Sequence, residues 1–181
     1  MKAIVYEKYG PPDVLQLKEV EKPKPKKDEV LVKVMAASLN AGDWHALRGT
    51  PFLQRLESGF PRPKNKILGA DVAGRVEAVG QHVKSFQPGD EIYGDLYWCG
   101  FGVFAEYVCI PEKSVAHKPS NLTFEQAAAV PQAAFTALHA LRDAGQVRSG
   151  DKVLINGASG GVGTFAVQQG HAAIKDVENF L

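Results

Sequence analysis

Cysteine is scarce in this sequence: 2 residues, Cys99 and Cys109, in a chain of 181. No disulfide framework is expected, and reduced cytoplasmic thiols are the default reading. An excess of one charge is missing too. Lys and Arg number 21 against 20 Asp and Glu, a formal net charge of +1. That balance gives no electrostatic argument for nucleic acid or an anionic membrane as a partner. Long apolar runs are absent, so no segment reads as a membrane span, and "MKAIVYEKYG" lacks the apolar stretch of a signal peptide. The basic run "EKPKPKKDE" carries prolines and flanking acids, which describe a solvated connector.

What is present is ordinary globular material. Hydrophobic residues make up 45% and charged residues 23% of the chain, enough for one large domain or a domain plus a fragment. "KAIVYEKYG" predicts a first strand, "GPPD" a turn, and "LQLKEVEKP" a strand pairing with the first. "EVLVKVMAASLN" predicts a stronger strand, with Val30, Val32 and Val34 on one face and Leu31 and Lys33 on the other. "AGDWHALRG" suits a short helix, and "TPFLQRLESGFPRPKNK" a loop with one helical turn. Glycines 69, 74 and 80 among valines predict bends, bulges or close backbone contacts in a curved sheet. "FQPGDEIYGD" leads from a turn into a strand, and "GVFAEYVCIP" is strand-like again. Short strands with turn signals point to a small, curved, mainly β domain.

The character changes near Ser120. "SNLTFEQAAAVPQAAFTALHALRDAG" reads as helix, with Thr123 as N-cap, Gln126 at the reciprocal capping position and Pro131 dividing the run in two. "KVLING" then predicts a compact apolar strand, and "GGVGTFAVQQGHAA" a helix. These changes imply a β-rich domain over 1–125 and the start of an α/β domain over 126–181, with the boundary between about 120 and 130.

"KVLINGASGGVG" places a tight glycine turn between strand and helix. Gly157 lets the chain leave the strand, Gly160 and Gly161 allow close backbone approach, and Gly163 lets the helix pack tightly. Amides of the turn and of the first helical residues, Val162 included, would face a dinucleotide pyrophosphate, and Ser159 would add a hydroxyl. The strict fingerprint is not met, because Ala158 occupies the first glycine position when Gly163 is taken as the last. An acid reading the ribose belongs about 20 residues further on. Asp176 and Glu178 are near that distance, but "IKDVENFL" is not a convincing second strand. NAD and NADP are therefore not distinguished.

Taken together, "KAIVYEKYGPPDVLQL", "EVLVKVMAASLNAGDWHALRG", "ILGADVAGRVEAVG", "FQPGDEIYG", "GVFAEYVCIP", "AAAVPQAAFTALHAL" and "GDKVLINGASGGVGTFAVQ" resemble the medium-chain dehydrogenase/reductase superfamily. The likeness is strongest to its zinc-independent quinone oxidoreductase branch. It implies a GroES-like N-terminal barrel, then a Rossmann domain, with the active site in the cleft between them. It also implies NADP or NAD as cofactor and hydride transfer to a quinone, enone or carbonyl. Where zinc-dependent relatives carry ligands, this chain resembles them only in position: Asn40, Ala70, Asp71 and Gln132 stand there, and one carboxylate does not make a tight catalytic zinc site. The structural four-cysteine lobe of those relatives is reduced to Cys99.

The resemblance sets "NAGDW" beside the nicotinamide or substrate. Asn40 is then a hydrogen-bond donor to a substrate oxygen, Asp43 a loop-orienting residue or acceptor, and His45 a proton donor after hydride addition. Loop residues of these types also simply satisfy their own backbone. Thr136, by the same resemblance, approaches the nicotinamide end of the cofactor. Trp44, Tyr93, Tyr97 and Trp98 supply either aromatic cleft surface or core packing. His82, His117, His139 and His171 have no metal spacing. The implied partner is a small quinone or activated carbonyl, with no nucleic acid or membrane and with a homodimer as an allowed assembly. A complete relative needs more parallel strands and a C-terminal return to the first domain, so the chain reads as C-terminally truncated. That leaves an alternative function: a catalytically inactive binding or dimerisation module with a vestigial glycine turn.

Overall fold

A computed structural model describes residues 1–171. Asp176 and Glu178, the candidate ribose ligands, lie outside the described residues. The chain divides into two compact units, Met1–Pro131 and Gln132–Leu181.

The first unit is built from antiparallel strands. β1 (Lys2–Val5) and β2 (Gln16–Glu19) form a hairpin, with Lys2 opposite Glu19 and Val5 opposite Gln16. The larger sheet holds β3 (Glu29–Ala37), β4 (Asp71–Val79), β5 (Glu91–Asp95), β6 (Tyr107–Pro111) and β7 (Val115–His117), in the order β6-β3-β4-β5-β7. Isolated bridges from Ala3 to Ala105 and from Val5 to Ile67 tie the hairpin to the rest. Val30 and Val32 are fully buried, as the alternation predicts, and so is most of Leu31; Lys33 is the exposed residue of the opposite face. Together with Val72, Val76, Ile92, Leu96, Val103 and Ile110 the two valines form the main core.

The β3–β4 register slips between Leu31 and Val32 and again between Val34 and Ala36. Gly74 answers the resulting crowding: a Cβ there would strike the Lys33 carbonyl oxygen and lie 2.7 Å from Val32 Cγ1. Its neighbours on β4 place Asp71 opposite Asp95 of β5. Two helices complete the loop side, α1 (Ala41–Arg48) and α2 (Gln54–Ser58). α1 stops at Gly49, whose φ of +60° turns the chain out of the helix. α3 (Phe124–Ala128) packs Ala127 and Ala128 against Ala73 and Tyr93. Thr123 caps it as the sequence predicts: its hydroxyl accepts the Gln126 amide and the Gln126 side chain accepts the Thr123 amide.

Pro131 does divide the helical run. α4 (Pro131–Leu138) begins there and passes into a π-helical stretch, His139–Ala144. α5 (Gly161–His171) follows the glycine turn, and Ala137, Leu141 and Ala166 form the second unit's small core with Val147, Ile155 and Phe165. One expectation needs correction. Residues 152–155, "KVLI", do not form a strand. A strand exists through its ladder, and no described strand lies alongside to complete one. Leu154 is left 96% exposed. Among the described residues, no helix is long and apolar enough to cross a membrane.

Candidate functional site

The polar residues of the first unit gather at the start of α1. Asp43 is buried, and its two carboxylate oxygens are divided between backbone amides: Oδ2 accepts from Asn40 N at 2.9 Å and Oδ1 from Gly69 N at 3.0 Å. The carboxylate thus closes the first turn of α1 and pins it to the chain entering β4. Burial pushes the Asp43 carboxyl above the usual range, and the two amides offset part of that. Asn40 turns its side-chain amide the other way. Its Nδ2 donates to Asp71 Oδ2 at 3.0 Å and approaches Ser38 Oγ at 3.4 Å, while the Ser38 hydroxyl donates to the same Asp71 oxygen at 3.2 Å. Asp71 is fully buried at the head of β4.

His45 lies on the exposed side of α1. Its Nδ1 is 2.9 Å from the Thr50 carbonyl oxygen. A carbonyl only accepts, so the proton resides on Nδ1 and Nε2 is the acceptor of the neutral ring. Trp44 meets the imidazole edge-on at 4.8 Å and carries the Arg48 guanidinium over its own face. Of the other aromatics, Tyr93 is buried in the core, Tyr97 is half-buried and Trp98 is exposed. Asp95 donates nothing but accepts the Tyr97 amide at 2.7 Å, and burial raises its carboxyl as well. Ala70, at a position where zinc relatives hold a ligand, is fully buried. No three His, Cys, Asp or Glu side chains among the described residues gather in a metal-holding group.

The second unit carries the glycine turn. Gly157 has φ +73°, and Gly160 N donates back to the Gly157 carbonyl at 3.0 Å. Thr164 N donates to Gly160 O at 2.9 Å. The amides of Gly161, Val162 and Gly163 therefore precede the first helical hydrogen bond of α5, where an anion finds both donors and the positive end of the helix dipole. Gly163 is obligatory: a Cβ there would collide with the Gly157 carbonyl oxygen and lie 2.7 Å from Ala158 Cα. Added Cβ atoms at Gly157 would meet nothing within 4 Å, and one at Gly161 only Ala133 Cβ at 3.9 Å. Those two glycines face open space. A cleft of about 480 Å³ adjoins the turn, lined among others by Ala140, Leu154, Asn156, Gly160 and Val162. Ser159 is exposed on the turn. Thr136, exposed on α4, donates its hydroxyl to the Gln132 carbonyl at 2.6 Å and keeps its lone pairs.

Residues 26–120 match the alcohol dehydrogenase GroES-like domain family. The chain belongs to the medium-chain dehydrogenase/reductase superfamily, on its quinone-oxidoreductase-like branch. Within that branch it is 42% identical to a 2-methylene-furan-3-one reductase of Solanum lycopersicum, over 93% of this chain and 43% of the relative. It is 41% identical to a quinone oxidoreductase of Sus scrofa, over 93% of this chain and 49% of the relative. The solved quinone oxidoreductase of Coxiella burnetii superposes with a TM-score of 0.85 at 38% identity, covering 96% of this chain and 54% of that one. The chain thus spans about half the length of the curated relatives it matches.

Sequence reasoning singled out Asn40 and Asp43 but missed their partners Ser38, Gly69 and Asp71 as a hydrogen-bonded set. Ser38 is two residues from Asn40 and signals itself only through "SLN". Asp71 is separated from Asn40 by 31 residues, and only strand pairing and the α1 turn bring the two together.

Proposed function

We propose that this chain is part of a zinc-independent oxidoreductase that uses NADP or NAD to reduce a quinone, enone or carbonyl. The observation that carries the proposal is the turn from Gly157 to Gly163, in which Gly157 and Gly161 leave room and the first-turn amides precede the helical ladder. When bound, the reduced nicotinamide supplies the hydride. Gly161, Val162 and Gly163 would hold the pyrophosphate through their amides, Gly157 and Gly160 would admit it closely, and Ser159 would add a hydroxyl donor. Thr136 is assigned to the nicotinamide end.

For the acceptor we assign Asn40. Its Nδ2 carries two hydrogens, donated to Asp71 Oδ2 at 3.0 Å and to Ser38 Oγ at 3.4 Å; a substrate oxygen would replace Ser38, the longer and weaker of the two acceptors. Asp43 has both oxygens committed to backbone amides, which supports the loop-orienting half of its expected role. His45 is the proposed proton donor once its Nε2 is protonated. The names of the relatives, a furanone reductase and quinone oxidoreductases, support the acceptor class. Domains over 1–125 and 126–181, a homodimer and a cytoplasmic location complete the proposal. Cell fractionation separates the cytosol from the chloroplastic and mitochondrial sites that some relatives' names carry.

The test is direct. The 181-residue chain is verified by intact mass, NADPH and NADH binding is measured by calorimetry, and quinone-dependent loss of nicotinamide absorbance is followed. Saturable turnover establishes the activity; absence of both binding and turnover overturns it for this chain. A second reading, a non-catalytic binding or dimerisation module, is favoured by one observation. Residues 152–155 have no ladder partner among the described residues, and Leu154 is bare. Sedimentation showing a dimer without cofactor affinity would select it.

A further inference from the structure

α2 reverses the usual polarity of a surface helix, which sends apolar side chains inward and charges outward. The Arg55 guanidinium turns back onto the protein. Its Nε donates to the Gly49 carbonyl at 2.9 Å and its Nη2 to the Arg48 carbonyl at 3.2 Å, where the helix dipole of α1 ends negative. It also lies over the Tyr9 ring, 4.7 Å from the centroid, and the Tyr9 hydroxyl donates to the Gly59 carbonyl at 2.7 Å. Tyr9 packs in turn on the buried cluster of Tyr6, Ala46, Leu47 and Leu68. The side facing water is apolar. Phe52, Leu53, Leu56 and Phe60 are 60, 72, 67 and 65% exposed. The Leu56 amide donates to the Leu53 carbonyl at 3.0 Å, and Phe52 meets Phe60 edge-on at 6.0 Å, so the four belong to one held segment. Together they leave on the order of 500 Å² of apolar surface in water, as much as the largest patch of a typical monomer.

The flanks are basic. Residues 48–66 carry 5 Arg and Lys against 1 acid, while the whole chain is near balance at +1. Arg48, Arg62, Lys64 and Lys66 are exposed, Arg48 with its guanidinium over the half-exposed Trp44 ring. Glu7 lies near Arg62 and Lys66, but it is paired with Lys18 at 2.8 Å. Size and charge decide between two occupants of such a patch. A second copy of the chain needs about 800 Å² per partner for a stable interface, and an isologous contact sets the like charges against each other. An anionic bilayer needs neither. Apolar side chains enter the headgroup boundary one by one, while Arg and Lys stay at the phosphates.

We propose that residues 52–60 are an interfacial anchor, which sets Phe52, Leu53, Leu56 and Phe60 into the headgroup boundary of an anionic lipid bilayer with Arg48, Arg62, Lys64 and Lys66 on its phosphates. The overall charge balance supplies no such attraction; the clustering of charge beside the apolar side chains does. The chain then lies on the surface and spans nothing, in keeping with the absence of a long apolar helix among the described residues. The anchor is independent of the oxidoreductase reading, since neither NADPH nor NADH takes part in it.

Vesicle flotation of the 181-residue chain tests this, with vesicles of phosphatidylcholine alone and of phosphatidylcholine mixed with phosphatidylglycerol. Binding to the mixed vesicles is expected at low salt, at least about tenfold stronger than to phosphatidylcholine and weakened by added salt. Leu53→Ser with Leu56→Ser is expected to weaken it about tenfold, and Arg62→Gln with Lys64→Gln by a similar factor. All four side chains are exposed, so thermal melts should match the parent. Leu17, 69% exposed on β2, is the control: Leu17→Ser should float like the parent. Insertion itself is read with Leu56→Trp in a Trp44→Phe, Trp98→Phe background, which removes the 2 native tryptophans. Its emission should shift to the blue and be quenched by brominated phosphatidylglycerol. The anchor is overturned by no flotation with the mixed vesicles, by equal binding to phosphatidylcholine, by unchanged binding of the double leucine variant, or by an equal loss in Leu17→Ser. Sedimentation of a lipid-free dimer that the double leucine variant dissociates makes a second copy the occupant and overturns it too.

Discussion

Asp43 shows how a residue type chosen for chemistry can be consumed by architecture. An aspartate accepts at both oxygens, and here one amide from α1 and one from the approach to β4 use them. Asparagine offers one acceptor and an NH₂ that would face a donor. Asp43→Asn is expected to cost about 2 kcal/mol of stability, read by urea unfolding, because a buried amide loses its partner. Cysteine behaviour follows from burial in the same way. Desolvation, then the nearby Glu29 charge, pushes the Cys109 thiol up to about 11, while Cys99 is exposed. Near pH 8, iodoacetamide is expected to add once, at Cys99, with Cys109 labelled only after unfolding; intact mass and peptide mapping check this. Glu112 provides the acid-side counterpart. Amides of Ser85 and Lys84 hold its carboxyl below the usual range. A depressed folded pKa contributes stability above the unfolded value and loses it as pH falls through the folded one. Below about pH 4.5 the melting temperature of Glu112→Gln is therefore expected to fall less steeply than that of the parent.

At the scale of elements, the glycine turn and the capped helix respond to single changes. Gly163→Ala forces a Cβ into the Gly157 carbonyl and Ala158. The turn must open, and NADPH affinity is expected to fall at least about tenfold by calorimetry, a loss of roughly 1.4 kcal/mol. Thr123→Ala removes one half of a reciprocal cap and is expected to cost about 1 kcal/mol in thermal unfolding. Both elements were legible in sequence because their signals are local: a residue triplet at a cap, a glycine where a Cβ cannot fit. The π-helical stretch His139–Ala144 was not legible. Its sequence, HALRDA, carries no spacing that distinguishes a π-helix from an α-helix. The missing strand at 152–155 failed for the opposite reason: "KVLI" has the propensity, but propensity does not supply a ladder partner.

For the molecule as a whole, the first unit, Met1–Pro131, contains its own main core and a five-stranded antiparallel sheet. Expressed as residues 1–131, it is expected to unfold in one cooperative step, with coincident near- and far-ultraviolet circular dichroism transitions. Among the described residues of the second unit the buried apolar side chains are Ala133, Ala134, Ala137, Leu138, Leu141 and Ala166, four of them alanines, too little apolar burial to expect the same of it alone. The sequence by itself determined most strands of the β-rich domain, the division of the helical run at Pro131, the glycine turn, the cap on α3 and the family, because each is written in contiguous residues or in their order. Only the tertiary structure decided that Asn40, Ser38 and Asp71 form one hydrogen-bonded set and that Asp43 serves the backbone. Those arrangements join residues far apart in the chain, and only strand register and the α1 turn set their distances.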